Sequence, residues 1–158
     1  MRKASSIAFV ALLAGVGIYP DWGTTAMIQL SLSQLVQGAE TIVLGTVAHQ
    51  ESAWNATHTA IYTDVVLQVE ETMKGAAGSE VTFRIAGGEV DDIGMRTSTA
   101  PTFYRGEEVI VFLHTEGSTA QIFGLQQGKF TVSDGTVTQG GQAVPVPDFR
   151  AAIRATSR

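Results

Sequence analysis

The sequence predicts a mainly β domain, a small closed barrel or sandwich of six or seven strands with a short helix near each end. Three observations carry this. Runs rich in β-branched and apolar residues recur at roughly regular spacing between Thr41 and Thr138. Glycine is frequent, at 17 residues, and proline rare, at 4, which suits short strands joined by tight turns. The length, 158 residues, is that of a single domain, with no internal repeat and no low-complexity linker to split it.

The elements follow in chain order. Met1-Arg2-Lys3 is a basic start, and Ile7 to Ile18 is a twelve-residue stretch without charge. Spanning a bilayer takes about 20 apolar residues, so this stretch reads as the apolar region of a secretory signal peptide. Thr24-Thr25-Ala26 offers the small residues for cleavage after Ala26. The expected organisation is therefore a signal peptide over 1–26 and one domain over 27–158. Cleavage takes away Arg2, Lys3 and Asp21, so 10 basic and 15 acidic residues become 8 and 14. The expected location is secreted or periplasmic, with no stable membrane insertion after cleavage.

Ser31 and Gln34 have the spacing of a capping box. Leu32, Leu35 and Val36 then share a helix face, and Gly38 is the expected stop. Thr41 to His49 is nearly solid apolar, as a strand buried on both faces is. Gly45 inside it suggests a bulge or a close backbone approach. Ser52 to Thr59 reads as a polar loop carrying Trp54. Ile61 to Glu70 alternates, as does Val81 to Ile85. Gly87 to Pro101 is the longest irregular stretch, with room for a short strand near Ile93 to Thr97. Val109 to Leu113 is again solid apolar. Gln121 to Leu125, Lys129 to Ser133 and Thr136 to Thr138 complete the strands, the last two joined by the Asp134-Gly135 turn. Pro145 and Pro147 break the sheet, and Asp148 to Arg154 reads as a terminal helix.

Several chemistries are excluded. Cysteine is absent, which removes disulfides, thiol nucleophiles, iron–sulfur clusters and Cys-ligated zinc. The net charge of −5 leaves no cation excess to replace phosphate counterions, which argues against nucleic-acid binding. His49, His58 and His114 lack zinc-site spacing. No GxSxG, Walker loop or GxGxxG occurs. Glu89, Asp91 and Asp92 form an acidic cluster without the EF-hand spacing and read as solvated loop residues. Asn55-Ala56-Thr57 fits the glycosylation sequon. No catalytic residue, metal or cofactor is expected.

A contact surface is the remaining expectation. Trp54, Tyr62, Phe103 and Tyr104 are aromatics beside loops, and aromatic and Arg side chains dominate binding hot spots. Their alternative role is to close the ends of a barrel. Together with Arg84 and the loop residues Gly87, Gly88 and Glu89 they form the expected binding set.

The order of short motifs carries a resemblance. Leu35-Val36 and Ala39-Glu40-Thr41-Ile42-Val43-Leu44-Gly45-Thr46-Val47 open it. Trp54, Ile61-Tyr62-Thr63, Met73-Lys74-Gly75, Phe83-Arg84, Gly87-Gly88-Glu89-Val90, Pro101-Thr102-Phe103, Gly106-Glu107-Glu108-Val109 and Gln127-Gly128-Lys129-Phe130 follow. Over about residues 31–133 the chain resembles bacterial secreted domains of the TIMP-like and netrin-like OB-fold family, some of which accompany matrixin-type metalloproteases. The resemblance implies an OB-like Greek-key barrel. In the animal inhibitors of that family an N-terminal cysteine chelates the protease zinc, and this cysteine-free chain has no such ligand. The expected function is an exported, non-enzymatic binding module with a protease-associated protein as first candidate partner. A module binding cell-envelope polysaccharide is the alternative. A glycoside hydrolase using Glu89, Asp91 or Asp92 ranks last, since it needs two carboxyls across a cleft.

Overall fold

The computed structural model describes residues 28–139 and 142–157; the expected signal peptide over 1–26 lies outside the described residues. Among the described residues the fold is mainly β with two α-helices. In chain order it runs α1 (Leu32–Gly38), β1 (Thr41–Trp54), β2 (Ile61–Lys74), β3 (Glu80–Ala86), β4 (Gly88–Val90) and β5 (Ile93–Met95). β6 (Glu108–Glu116), β7 (Thr119–Ile122), a 3-10 turn (Leu125–Gly128), β8 (Lys129–Ser133), β9 (Thr136–Gln139), β10 (Gln142–Pro145) and α2 (Val146–Thr156) complete it.

The strand pairings run round a ring. β1 pairs antiparallel with β2, and β2 with β3. β3 meets β7 in parallel at Arg84 and Gln121, β7 pairs with β6, and β6 returns to β1. β6 is shared on both edges. One edge takes β1, from Thr41 opposite Leu113 to Thr46 opposite Glu108. The other takes β8 at Val109–Val111 and β7 at Leu113–Glu116. From β8 the sheet continues through β9 to β10.

Position between two cores explains the solid apolar runs of β1 and β6. Alternate side chains of a strand face opposite ways. Ile42, Leu44, Ile110 and Phe112 join a core with Leu35, Val36, Phe149 and Ile153 of the helices. Val43, Val47, Val109, Val111 and Leu113 join a second core with Val65, Leu67, Phe83 and Phe103. Gly45 shows both expected features. The β1–β2 register shifts beside it, and a Cβ there would strike the Gln68 carbonyl oxygen.

Several boundaries differ from the sequence reading. β1 runs on to Trp54, so the loop starts at Asn55. The irregular stretch contains the hairpin β4–β5, turning at Asp91-Asp92. β7 ends at Ile122, because Gly124 (φ 77°) and Leu125 (φ 58°) turn the chain left-handed. Pro147 sits in the first turn of α2, where its missing N–H costs nothing.

Candidate functional site

Two recesses hold the residues singled out in the sequence, with five at the larger and three at the smaller. The larger is a groove of about 860 Å³ between the end of β3, the β4–β5 hairpin and the loop 96–104. Gly87 and Gly88 begin it, with φ of 96° and 145°. A Cβ on Gly88 would strike the hydroxyls of Ser52 and Thr63, so only glycine lets the chain pass over them. Thr63 is 5% exposed and donates to the Gly87 carbonyl at 2.7 Å. That commits its proton, so Ser52 is the donor in the 2.8 Å Ser52–Thr63 pair. The pair is a structural tie. Among the described residues neither hydroxyl hydrogen-bonds a base that would raise its nucleophilicity.

The loop 102–107 is held by an ion pair, by the Gln50 amide, which donates to the Phe103 carbonyl at 3.1 Å, and by backbone bonds between Val47 and residues 106 and 107. Lys129 Nζ donates to both Glu107 oxygens at 2.7 and 2.9 Å and to the Thr102 carbonyl. Glu107 also accepts from the Thr131 hydroxyl at 2.7 Å and the Tyr104 amide at 3.0 Å. The two side chains are only 10% and 13% exposed. Burial pushes the Glu107 carboxyl up, but the hydrogen bonds from Lys129, Thr131 and the Tyr104 amide, with the Lys129 charge, hold it below its ordinary value. Lys129 also sits 4.5 Å above the Phe103 ring. Phe103 is 4% exposed and packs edge-on against Phe83 at 5.2 Å, so its ring belongs to the core at the end of the groove. Tyr104, the next residue, is 67% exposed on the groove wall. Glu89 is exposed at the opposite wall.

The smaller recess is a cleft of about 250 Å³ lined by Trp54, Tyr62, Asp64 and Arg84, with Ala53, Asn55 and Ala56. Asp64 and Arg84 are cross-strand partners on β2 and β3. Arg84 grips the carboxylate bidentately, Nε and Nη2 each at 2.7 Å. This hydrogen-bonded fork, against a smaller effect of burial, holds Asp64 below the usual carboxylate range and raises Arg84. The guanidinium lies over the Tyr62 ring, 5.9 Å from its centre. Trp54 stacks on His58 at 6.0 Å. The Asn55 amide is committed to the turn below, bonding the Thr59 and Ala60 amides and the Thr59 hydroxyl.

Trp54, Tyr62 and Arg84 thus gather at the cleft, while Gly87, Gly88, Glu89, Phe103 and Tyr104 gather at the groove. Sequence reasoning missed Ser52, Thr63, Asp64, Glu107 and Lys129. Asp64 carried no usable signal: the β2–β3 register is centred on Lys74, whereas a turn centred on Gly75–Gly78 would set Asp64 opposite Glu89 instead of Arg84. Asp91 is a left-handed turn residue (φ 54°), which gives the acidic cluster a local reason. Among the described residues no group of three His, Cys, Asp or Glu side chains could hold a metal ion. No helix among them is long and apolar enough to cross a membrane. Comparison with family models, curated proteins and solved structures gave no match to the chain.

Proposed function

We propose that this chain is an exported, non-enzymatic binding module, built as a small OB-like Greek-key barrel of the TIMP-like and netrin-like kind, whose groove holds an extracellular protein. The carrying observation is the groove itself. It is the larger of the two recesses and its loop wall is fixed in advance by the nearly buried Lys129–Glu107 pair. A wall ordered before binding spares the partner the cost of ordering it. The lining mixes apolar Ile85, Met95 and Pro101 with hydroxyls, and sets Glu89 and Arg96 as charges of opposite sign. Such a surface suits an extended peptide segment, with apolar contacts for affinity and a few polar groups for orientation. The strand ring through β1, β2, β3, β7 and β6 supports the barrel reading.

Site-directed photo-crosslinking tests this. A photoreactive residue at position 104 should capture one or a few secreted proteins from the native culture medium. The same probe at Ser133, exposed on β8, should not. Tyr104→Ala and Glu89→Lys, folded by circular dichroism, should weaken binding of the captured protein about tenfold or more. Identical capture from both positions would remove the proposal.

A further inference from the structure

The cleft at the β1–β2 turn has a chemistry different from that of the groove. Its charges cancel, because Arg84 and Asp64 neutralise one another at 2.7 Å. An anionic ligand there meets the Asp64 carboxylate and a cation meets the guanidinium, so neither is favoured. Yet the fork is not used up. Arg84 spends Nε and Nη2 on Asp64, and its Nη1 makes no protein hydrogen bond among the described residues. Each carboxylate oxygen accepts one Arg84 hydrogen bond and keeps further acceptor capacity. Both side chains are about two-fifths exposed, so these sites reach solvent. The aromatic members are similarly placed. Neither the Trp54 indole N–H nor the Tyr62 hydroxyl has a hydrogen-bond partner among the described residues, and both residues line the cleft.

We infer that this cleft binds a neutral saccharide. A pyranose ring presents a face of C–H groups and an equator of hydroxyls. The first needs aromatic surface, which Trp54 and Tyr62 supply. The second needs fixed donors and acceptors side by side, which a bidentate Arg–carboxylate pair supplies in one plane. The His58 ring behind Trp54 and the guanidinium over Tyr62 hold both aromatics in place before a ligand arrives. The Asn55 amide holds the turn that carries Trp54 and is left out of the ligand set. This site is separate from the groove and stands without the reading given to it.

Titration calorimetry with neutral oligosaccharides of glucose, mannose, xylose and N-acetylglucosamine, beside heparin fragments as the anionic comparison, tests the inference. At least one neutral sugar should bind, with heparin fragments weaker. Asp64→Asn and Tyr62→Ala should lower that association constant about tenfold, and Ser133→Ala should leave it unchanged. An exposed ion pair adds little to stability, so Asp64→Asn keeps the fold and the test valid even where Trp54→Ala does not. Failure of every neutral sugar to bind below about 5 mM, preference for heparin, or equal binding by the Asp64 and Tyr62 variants would each overturn the assignment.

Discussion

At the residue scale, two positions hold the groove in shape. Gly88 is the first. Its left-handed φ of 145° and the hydroxyls of Ser52 and Thr63 below it both exclude a side chain. Gly88→Ala should cost about 2 kcal/mol in urea unfolding, from backbone strain and from displacing the Ser52–Thr63 tie. A loss within error of zero would mean the chain passes over those hydroxyls with room to spare. Lys129 is the second. Lys129→Met leaves the Glu107 carboxylate nearly buried without its cation, and should cost about 3 kcal/mol. The pH dependence has a definite sign. Glu107 titrates lower in the folded chain than its ordinary value of about 4.3, so the pair contributes fully above that pH. Its contribution falls as the pH drops through the folded value. The stability gap between wild type and Lys129→Met should therefore be constant at neutral pH and shrink as the pH falls below the ordinary carboxylate value. A gap that widens on acidification would contradict the assignment of Glu107 as the ionised partner.

At the element scale, the helix α1 shows how local and distant signals divide. Its start was legible in four residues. Ser31 Oγ accepts from the Gln34 amide at 3.2 Å, and Gln34 Oε1 accepts from the Ser31 amide at 2.8 Å. Its end was legible too, since the helix stops at Gly38 as expected, but the side chain that caps it was not, because it comes from a strand. Lys74 of β2 donates to the carbonyls of Val36 and Ala39, both at 2.6 Å, placing a cation at the negative end of the helix. Lys74→Met should cost about 1.5 kcal/mol and Ser31→Ala about 1 kcal/mol, each read from the urea midpoint. The strands divide the same way. β1 was readable to His49, carried by Ile42–Gly45 and Val47, which are buried. Beyond that it pairs with β2 alone, in a half-exposed arm where Gln50, Glu51 and Ser52 cost little. Polarity hid that arm and left Trp54 looking like a loop residue. The candidate site was legible as residue types but not as geometry. Sequence gives no means of seeing that Trp54, Tyr62 and Arg84 share one recess while Glu89 and Tyr104 share another, because the division depends on strand register.

At the scale of the whole molecule, the two cores share their walls. β1 and β6 contribute to both, with Ile42, Leu44, Ile110 and Phe112 on the helix side and Val43, Val47, Val109 and Val111 on the ring side. Damage on either side therefore reaches the backbone that the other side needs. Phe149 of α2 tests this, since it is 1% exposed and packs against Phe130 at 4.9 Å. Phe149→Ala should cost about 3–5 kcal/mol from lost burial and the cavity left behind. If the cores are coupled through β1 and β6, that loss lowers the urea midpoint of the entire chain and leaves the slope unchanged. Far-ultraviolet dichroism and the near-ultraviolet signal of Tyr62 and Tyr104, both remote from α2 in sequence, should then fall together in one transition. A helix layer that melts first, with the tyrosine signal persisting, would instead show that the ring carrying groove and cleft stands by itself.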